Sequence, residues 1–268
     1  GTPLVYHIHD VFADYRLNRM ALARAAAIIA NSGDMKKDFV EHAGIDPARI
    51  RVIHNGIDPG RFAPGTPSTL RNELQADENN VLIGILSRLA PNKGQETFIR
   101  AAAIVARHEK DAQFLVIGDD AIYSDNEGYV AGLQDLIAKL GISDRVKLLG
   151  FREDMRTVYA GLDVVVDAAW REAFGMVVVE PMACGKPVVG TNAGGIPEII
   201  THNEDGFLFP PRDENALAAI LANLCASRKL RNMIGERARE TILRSFTLNT
   251  QARAVEAVFR AVLEKGKR

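Results

Sequence analysis

The run Val164-Val165-Val166-Asp167-Ala168-Ala169-Trp170-Arg171-Glu172-Ala173-Phe174-Gly175-Met176-Val177-Val178-Val179-Glu180-Pro181-Met182-Ala183-Cys184-Gly185-Lys186-Pro187-Val188-Val189 decides the fold. Its three leading valines form the continuous apolar segment expected of a strand buried on both faces. A loop with Arg171 and Glu172 follows, then a second apolar block from Met176, and Gly185-Lys186-Pro187 punctuates before another apolar pair. The order is strand, loop, helix, strand, the repeating unit of a parallel sheet. Glu172 falls on the loop at the C-terminal end of a strand, and Glu180, eight positions on, falls within the helix that the loop feeds. That rim is where open α/β sheets bind ligands.

Working outward, short strands are expected at 4–8, 26–30 and 50–54, with helices near 12–25 and 33–43, the second capped by Ser32. Asn55-Gly56, Pro59-Gly60, Pro64-Gly65 and Pro67 make 56–68 a linker. A second set follows: strands at 81–86, 113–117, 145–149, 163–168, 187–190 and 206–209. Helices at 95–108, 128–140, 153–160, 213–226, 228–244 and 247–265 accompany them, with Gly141 placed to end one and Pro197 to begin another. Pro181 removes a bond from its helix, so that helix either starts late or bends. The second set suffices for a full doubly wound domain, whereas the first has only about three strands. The chain opens on Gly1-Thr2 without an initiator Met and reads as cut rather than begun.

Bulk properties narrow the function classes. The 268 residues are 47% hydrophobic and 25% charged, with net charge -1, which gives no basis for bulk nucleic-acid affinity. No apolar run reaches the roughly 18 residues of a membrane span. Cys184 and Cys225 have neither metal-type nor disulfide-framework spacing, and buried thiols in a cytoplasmic, reducing setting are expected. Walker, Gly-x-Gly-x-x-Gly and Gly-x-Ser-x-Gly motifs are missing from the sequence. Asp119-Asp120 after a strand reads as a turn, and no metal site is expected.

Arg88 and Lys93 flank the loop from strand 81–86 into the next helix, where cations beside free amides can neutralise a diphosphate, unless they are solvated loop charges. Glu180 can favour the helix dipole or join a surface ion pair, but four apolar residues precede it, and a buried carboxylate needs donors such as sugar hydroxyls. The helix N-terminus near Gly175 suits an anion, and glycine there lets the backbone approach a phosphate or sugar ring. Two acids beside an anion cradle fit a ligand with both phosphates and hydroxyls, such as a nucleotide sugar. Phe174 and Trp170 read as wall or packing residues. His7 and His9 share a strand face by period two; His9, at the strand end, is the one placed to reach a cleft. His42, His54, His108 and His202 get a structural reading.

Taken together, these stretches resemble the retaining GT-B glycosyltransferases of group 1, glycosyltransferase family 4. The resemblance rests on Val5-Tyr6-His7-Ile8-His9-Asp10, Ile28-Ile29-Ala30-Asn31-Ser32, Val52-Ile53-His54-Asn55-Gly56-Ile57-Asp58 with Phe62-Ala63-Pro64, and Ser87-Arg88-Leu89 through Lys93-Gly94. It continues in Val146-Lys147-Leu148-Leu149-Gly150-Phe151, the Glu-x7-Glu element, Ala183 to Val189, and Gly194-Gly195-Ile196-Pro197-Glu198. It implies an α/β GT-B fold with a complete Rossmann-like donor domain at 66–245, a partial N-terminal Rossmann-like domain with linker at 1–65, and a last helix at 246–268 crossing back. Arg88 and Lys93 would hold the diphosphate of a UDP-, GDP- or ADP-sugar, aided by amides around Phe174, Gly175 and Met176. Glu180 would take the ribose hydroxyls, Glu172 those of the donor sugar, Phe151 and Arg152 the base through their backbone, and His9 would face the transferred sugar. No cofactor or metal is implied, because two cations and a helix end stabilise the leaving group. Glu172 as a covalent nucleophile is a lesser alternative.

The departures from the family pattern are Pro181, where a small helix former is usual, and the N-terminal strands and glycine-rich loop that lie outside this sequence. Two rival readings therefore stand beside transfer to an acceptor hydroxyl: a donor-binding fragment without transfer, and a GT-B sugar-nucleotide epimerase. Strand 4–8 is expected at an open sheet edge, which favours self-association or pairing with a separate N-terminal piece.

Overall fold

The structure, a computed structural model, describes residues 2–9, 22–119 and 128–265. Asp10, Asp120 and most of the helix expected near 12–25 lie outside those residues; of that helix only 22–25 are described, with 22–24 helical and Ala25 outside the helix. Two parallel sheets organise the described chain. The smaller has order β1-β2-β3, with β1 at Val5–Ile8, β2 at Ala27–Ala30 and β3 at Ile50–Val52. Helix α1, Gly33–Ala43, covers it with Met35, Phe39 and Ala43, and Ser32 caps α1 by accepting from the Met35 amide at 3.1 Å.

The larger sheet contains β4 (Val81–Leu86), β5 (Ala112–Ile117), β6 (Val146–Gly150), β7 (Val164–Asp167), β8 (Val188–Thr191) and β9 (Phe207–Phe209). Its order is β6-β5-β4-β7-β8-β9, all parallel. The reversal of order between β4 and β7 creates the switch point of a doubly wound sheet, where the loops leaving two neighbouring strands part to opposite sides. Alternation along β4 explains the layering. Val81, Ile83 and Ile85 face a core shared with α3 (Gln95–Val105), α4 (Tyr129–Lys139) and α7 (Glu214–Ala226). Leu82 and Leu86 face a second core with α5 (Met155–Gly161), α6 (Met176–Ala183) and α8 (Arg228–Ser245). Such strands must be apolar on both faces.

Several boundaries differ from the sequence reading. The helix expected to reach 108 ends at Val105, β3 stops at Val52, and a short helix α2, Leu70–Glu73, was not expected. Helix α6 begins at Met176, so it does not start late; Pro181 lies inside it, and an eight-residue helix forfeits only the bond to the Val177 carbonyl. Beyond α8, α9 (Leu248–Lys265) runs past the smaller sheet, where Val258, Ala261 and Val262 share a cavity of about 100 Å³ with Ala26, Ala27, Arg49 and Arg51. The chain links the sheets twice, and both links touch: the Ile57 amide donates to Phe246 O and the Leu248 amide to Ile57 O, each at 2.9 Å.

Candidate active site

Two adjoining cavities open at the switch point. The first, about 480 Å³, is lined by Leu86, Ser87 and Arg88 after β4, by Ile117, Gly118 and Asp119 at the end of β5, and by Phe151 and Arg152 after β6. Met155 and Tyr159 of α5 and Val177 and Glu180 of α6 complete it. The second, about 540 Å³, takes His9, Asn31 and Asn55 from the side of the smaller sheet, with Asn92, Lys93 and the stretch from Arg171 to Val177. Leu86, Ser87, Arg88 and Val177 line both. Every residue expected at the site from the sequence therefore borders one cavity or the other, and Arg88 stands on the wall between them.

The cation side is built by a loop that folds tightly before α3. Lys93 ends a short 3-10 turn, Pro91–Lys93, and its ammonium pairs with Glu172 Oε1. Gln95, fully buried at the start of α3, donates from Nε2 to Ser87 Oγ at 2.8 Å and to Arg88 O at 2.7 Å. Tyr129 O–H donates to the Gln95 oxygen at 3.0 Å, so the amide is satisfied at both ends and fixes the backbone from which Arg88 projects. Asp167, the last residue of β7, lies beneath this cluster. Its Oδ1 accepts from the Ala169 amide at 3.1 Å, while Oδ2 is buried with no partner among the described residues. Burial first, and then the Glu172 carboxylate, push its pKa up to about 7 against the Ala169 bond and Lys93.

The acid in the first cavity is set differently. Tyr159, 2% exposed on α5, donates its O–H to Glu180 Oε2 at 2.9 Å. Burial raises the Glu180 pKa, opposed by the Tyr159 bond and by Arg61. The same pairing, after burial, raises the Tyr159 phenol well above its ordinary value. Tyr159 escaped the sequence reading because nothing within a short amphipathic helix marks one aromatic as a carboxylate partner. Arg152 pairs with Glu73 at 2.9 Å, and Phe151 is 70% exposed at the cavity mouth.

The remaining assignments divide. His9 is exposed and lines the second cavity, its ring 4.2 Å from that of His7. Phe174 is buried with its ring against His54 and Phe246, at 5.7 and 6.1 Å between centroids. Gly175 caps α6 at φ 113, and a Cβ there would fall 2.4 Å from Ile196 Cδ1. The left-handed backbone thus favours glycine before any ligand is considered, whereas the Ile196 methyl could shift to admit a Cβ. Trp170 borders neither cavity; it sits under the Arg212 guanidinium, 3.6 Å from the ring centroid. His54, read as structural, lies 2.9 Å from Glu198 Oε2. Among the described residues no three His, Cys, Asp or Glu side chains are grouped to hold a metal, and no helix is long and apolar enough to cross a membrane.

Comparison with known proteins gives this geometry a family. The model of glycosyl transferases group 1 matches residues 68–241, and that of Glycosyltransferase Family 4 matches residues 1–61. A D-inositol 3-phosphate glycosyltransferase of Mycolicibacterium vanbaalenii is 34% identical over 76% of this chain and 46% of its own length. An N-acetyl-alpha-D-glucosaminyl L-malate synthase of Bacillus anthracis is 29% identical over 81% of this chain and 55% of its own. The chain spans about half the length of these curated relatives. The crystal structure of Anabaena HepE in complex with UDP and glucose superposes with a TM-score of 0.87 at 33% identity, covering 96% of this chain and 71% of that one. The chain belongs to the group 1 glycosyl transferases and has their two-sheet GT-B architecture.

Proposed function

We propose that the two cavities hold one nucleotide-diphospho-sugar, and that the protein transfers its sugar to an acceptor hydroxyl with retention of configuration. The observation that carries this reading is the shared wall: Arg88 borders both cavities, so one extended ligand can run past it from Glu180 to Glu172. Nucleoside in the first cavity, diphosphate at Arg88 and Lys93, and sugar beside Glu172 and His9 follow the chemistry of the walls. Glu180 has one oxygen bonded to Tyr159 and offers the other to ribose hydroxyls. The backbone after β6, at Phe151 and Arg152, borders the base. Because Anabaena HepE is described with UDP and with UDP-glucose, a UDP-sugar is the first donor to test, before GDP- and ADP-sugars.

In this reading the bond between the anomeric carbon and the diphosphate oxygen breaks, and the electron pair leaves with the diphosphate. Arg88, Lys93 and the first amides of α6, around Phe174, Gly175 and Met176, stabilise that charge without a metal. The acceptor oxygen bonds to the same face of the oxocarbenium-like sugar, and its proton passes to the departing phosphate oxygen. Glu172 orients sugar hydroxyls. Lys93 pairs with Glu172, so a diphosphate that binds the ammonium would compete with this pair and free the carboxylate for the sugar. Calorimetric titration with UDP, GDP and ADP, beside a transfer assay, tests the assignment. Arg88→Ala and Lys93→Ala are each expected to lower transfer about 10²- to 10³-fold; near-normal rates in either would contradict it.

A further inference from the structure

Three segments distant in sequence close on one another behind the second cavity: the start of α1, the loop carrying Glu172, and the turn Gly194–Glu198. Ser32 Oγ donates to Ala173 O at 2.6 Å, and the Arg171 guanidinium donates to Asp34 Oδ2 at 2.9 Å and Asp38 Oδ1 at 3.1 Å, joining α1 to the loop. The Gly195 amide donates to Glu172 O at 2.8 Å, joining the turn to the loop. This contact is close enough that a Cβ on Gly194, at φ 64, would lie 2.1 Å from Glu172 O. The third side of the triangle is Glu198, whose two oxygens accept from the Gly33 and Asp34 amides at 2.8 and 3.0 Å. His54 Nε2 adds a contact at 2.9 Å.

Those two amides belong to the first turn of α1, where N–H groups have no partner within the helix and the dipole favours a carboxylate. Burial works against the charged form of Glu198, yet the bonds from His54, Gly33 and Asp34 outweigh it and lower its pKa. Glu198 itself lines neither cavity. It reaches the site only through what it holds.

We propose that Glu198 is a positioning residue: by fastening the start of α1 to the Gly194–Glu198 turn, it closes the triangle that fixes the backbone of Arg171, Glu172 and Ala173. The Glu172 carboxylate is then aimed into the second cavity by contacts made by two other segments. That this aim serves a donor sugar rests on the functional reading above. The coupling of Glu198 to the Glu172 loop does not.

The test uses Glu198→Gln, which keeps one acceptor oxygen, and Glu198→Ala, which keeps none. Backbone amide exchange across 170–174 is expected to quicken about tenfold in the alanine variant and less in glutamine, while β4 and β5 exchange as in the wild type. In transfer assays with UDP-glucose, kcat falls about tenfold in the alanine variant, with partial recovery in glutamine, whereas affinity for UDP alone stays within about twofold. A residue that merely supports the fold would instead quicken exchange throughout and weaken UDP binding in step. Unchanged exchange at 170–174 in the alanine variant, or quickening spread evenly through the sheet, overturns the proposal. If the exchange pattern appears but the wild type takes up no nucleotide, the functional reading fails and the coupling stands.

Discussion

Asp167 shows what a single side chain contributes at this site. An acid whose folded pKa is raised holds its proton longer in the folded than in the unfolded state, so it opposes folding increasingly as the pH climbs through the interval between the two values. For Asp167 that interval runs from its ordinary 3.8 to about 7. The penalty is absent below it and complete above it. The charges that act on the group are Glu172, from the loop following its own strand, and Lys93, from the turn before α3. Neighbouring β8 contributes Gly190 in register and the uncharged Thr191, whose hydroxyl donates to Asp167 O at 3.1 Å. Asp167→Asn removes the titration while keeping the shape. Relative to the wild type the variant should gain about 3 kcal/mol between about pH 5 and about pH 8, measured by thermal or urea unfolding at each pH. A difference between the two proteins that does not change with pH would contradict a buried, late-titrating carboxyl.

At the scale of elements, legibility followed locality. The span expected at 81–86 is β4 residue for residue, and β7 lies within the expected 163–168, because unbroken apolar runs between loop signals report a doubly covered strand directly. The rim position of Glu172 followed from the same pattern. What the sequence could not carry was the pairing between elements. Lys93 and Glu172 are 79 positions apart and His54 and Glu198 are 144, and no helical or strand period spans such distances. Hence Lys93 was legible as a cation at a helix start but not as the partner of Glu172. His54 was given a structural role without its carboxylate, and Glu198 was visible only within a motif. The smaller sheet carries its own consequence. Among the described residues β1 is hydrogen-bonded to β2 alone, and a strand edge that no neighbour covers is a template for pairing. Sedimentation over a range of concentrations should therefore show self-association, and a purely monomeric chain at high concentration would argue against an accessible edge.

Across the whole molecule, the site depends on two sheets being held at one distance. The larger supplies Arg88, Lys93, Glu172 and Glu180 from loops and a helix around its switch point, whereas the smaller contributes His9, Asn31 and Asn55 to the facing wall. Contacts that join the two parts of the chain include the Glu198 bonds to the Gly33 and Asp34 amides on one side and the crossing at Ile57 and Leu248 on the other. A ligand that bridges both cavities would meet charge, hydroxyl acceptors and a helix start in sequence along its length, which is the arrangement a nucleotide sugar needs. The most direct measurement is a crystal structure of the chain with UDP-glucose. The expected result is a single ligand with ribose at Glu180, diphosphate between Arg88 and Lys93, and glucose beside Glu172. A nucleotide seated in the first cavity with its diphosphate turned away from Lys93, or a ligand confined to one cavity, would contradict it.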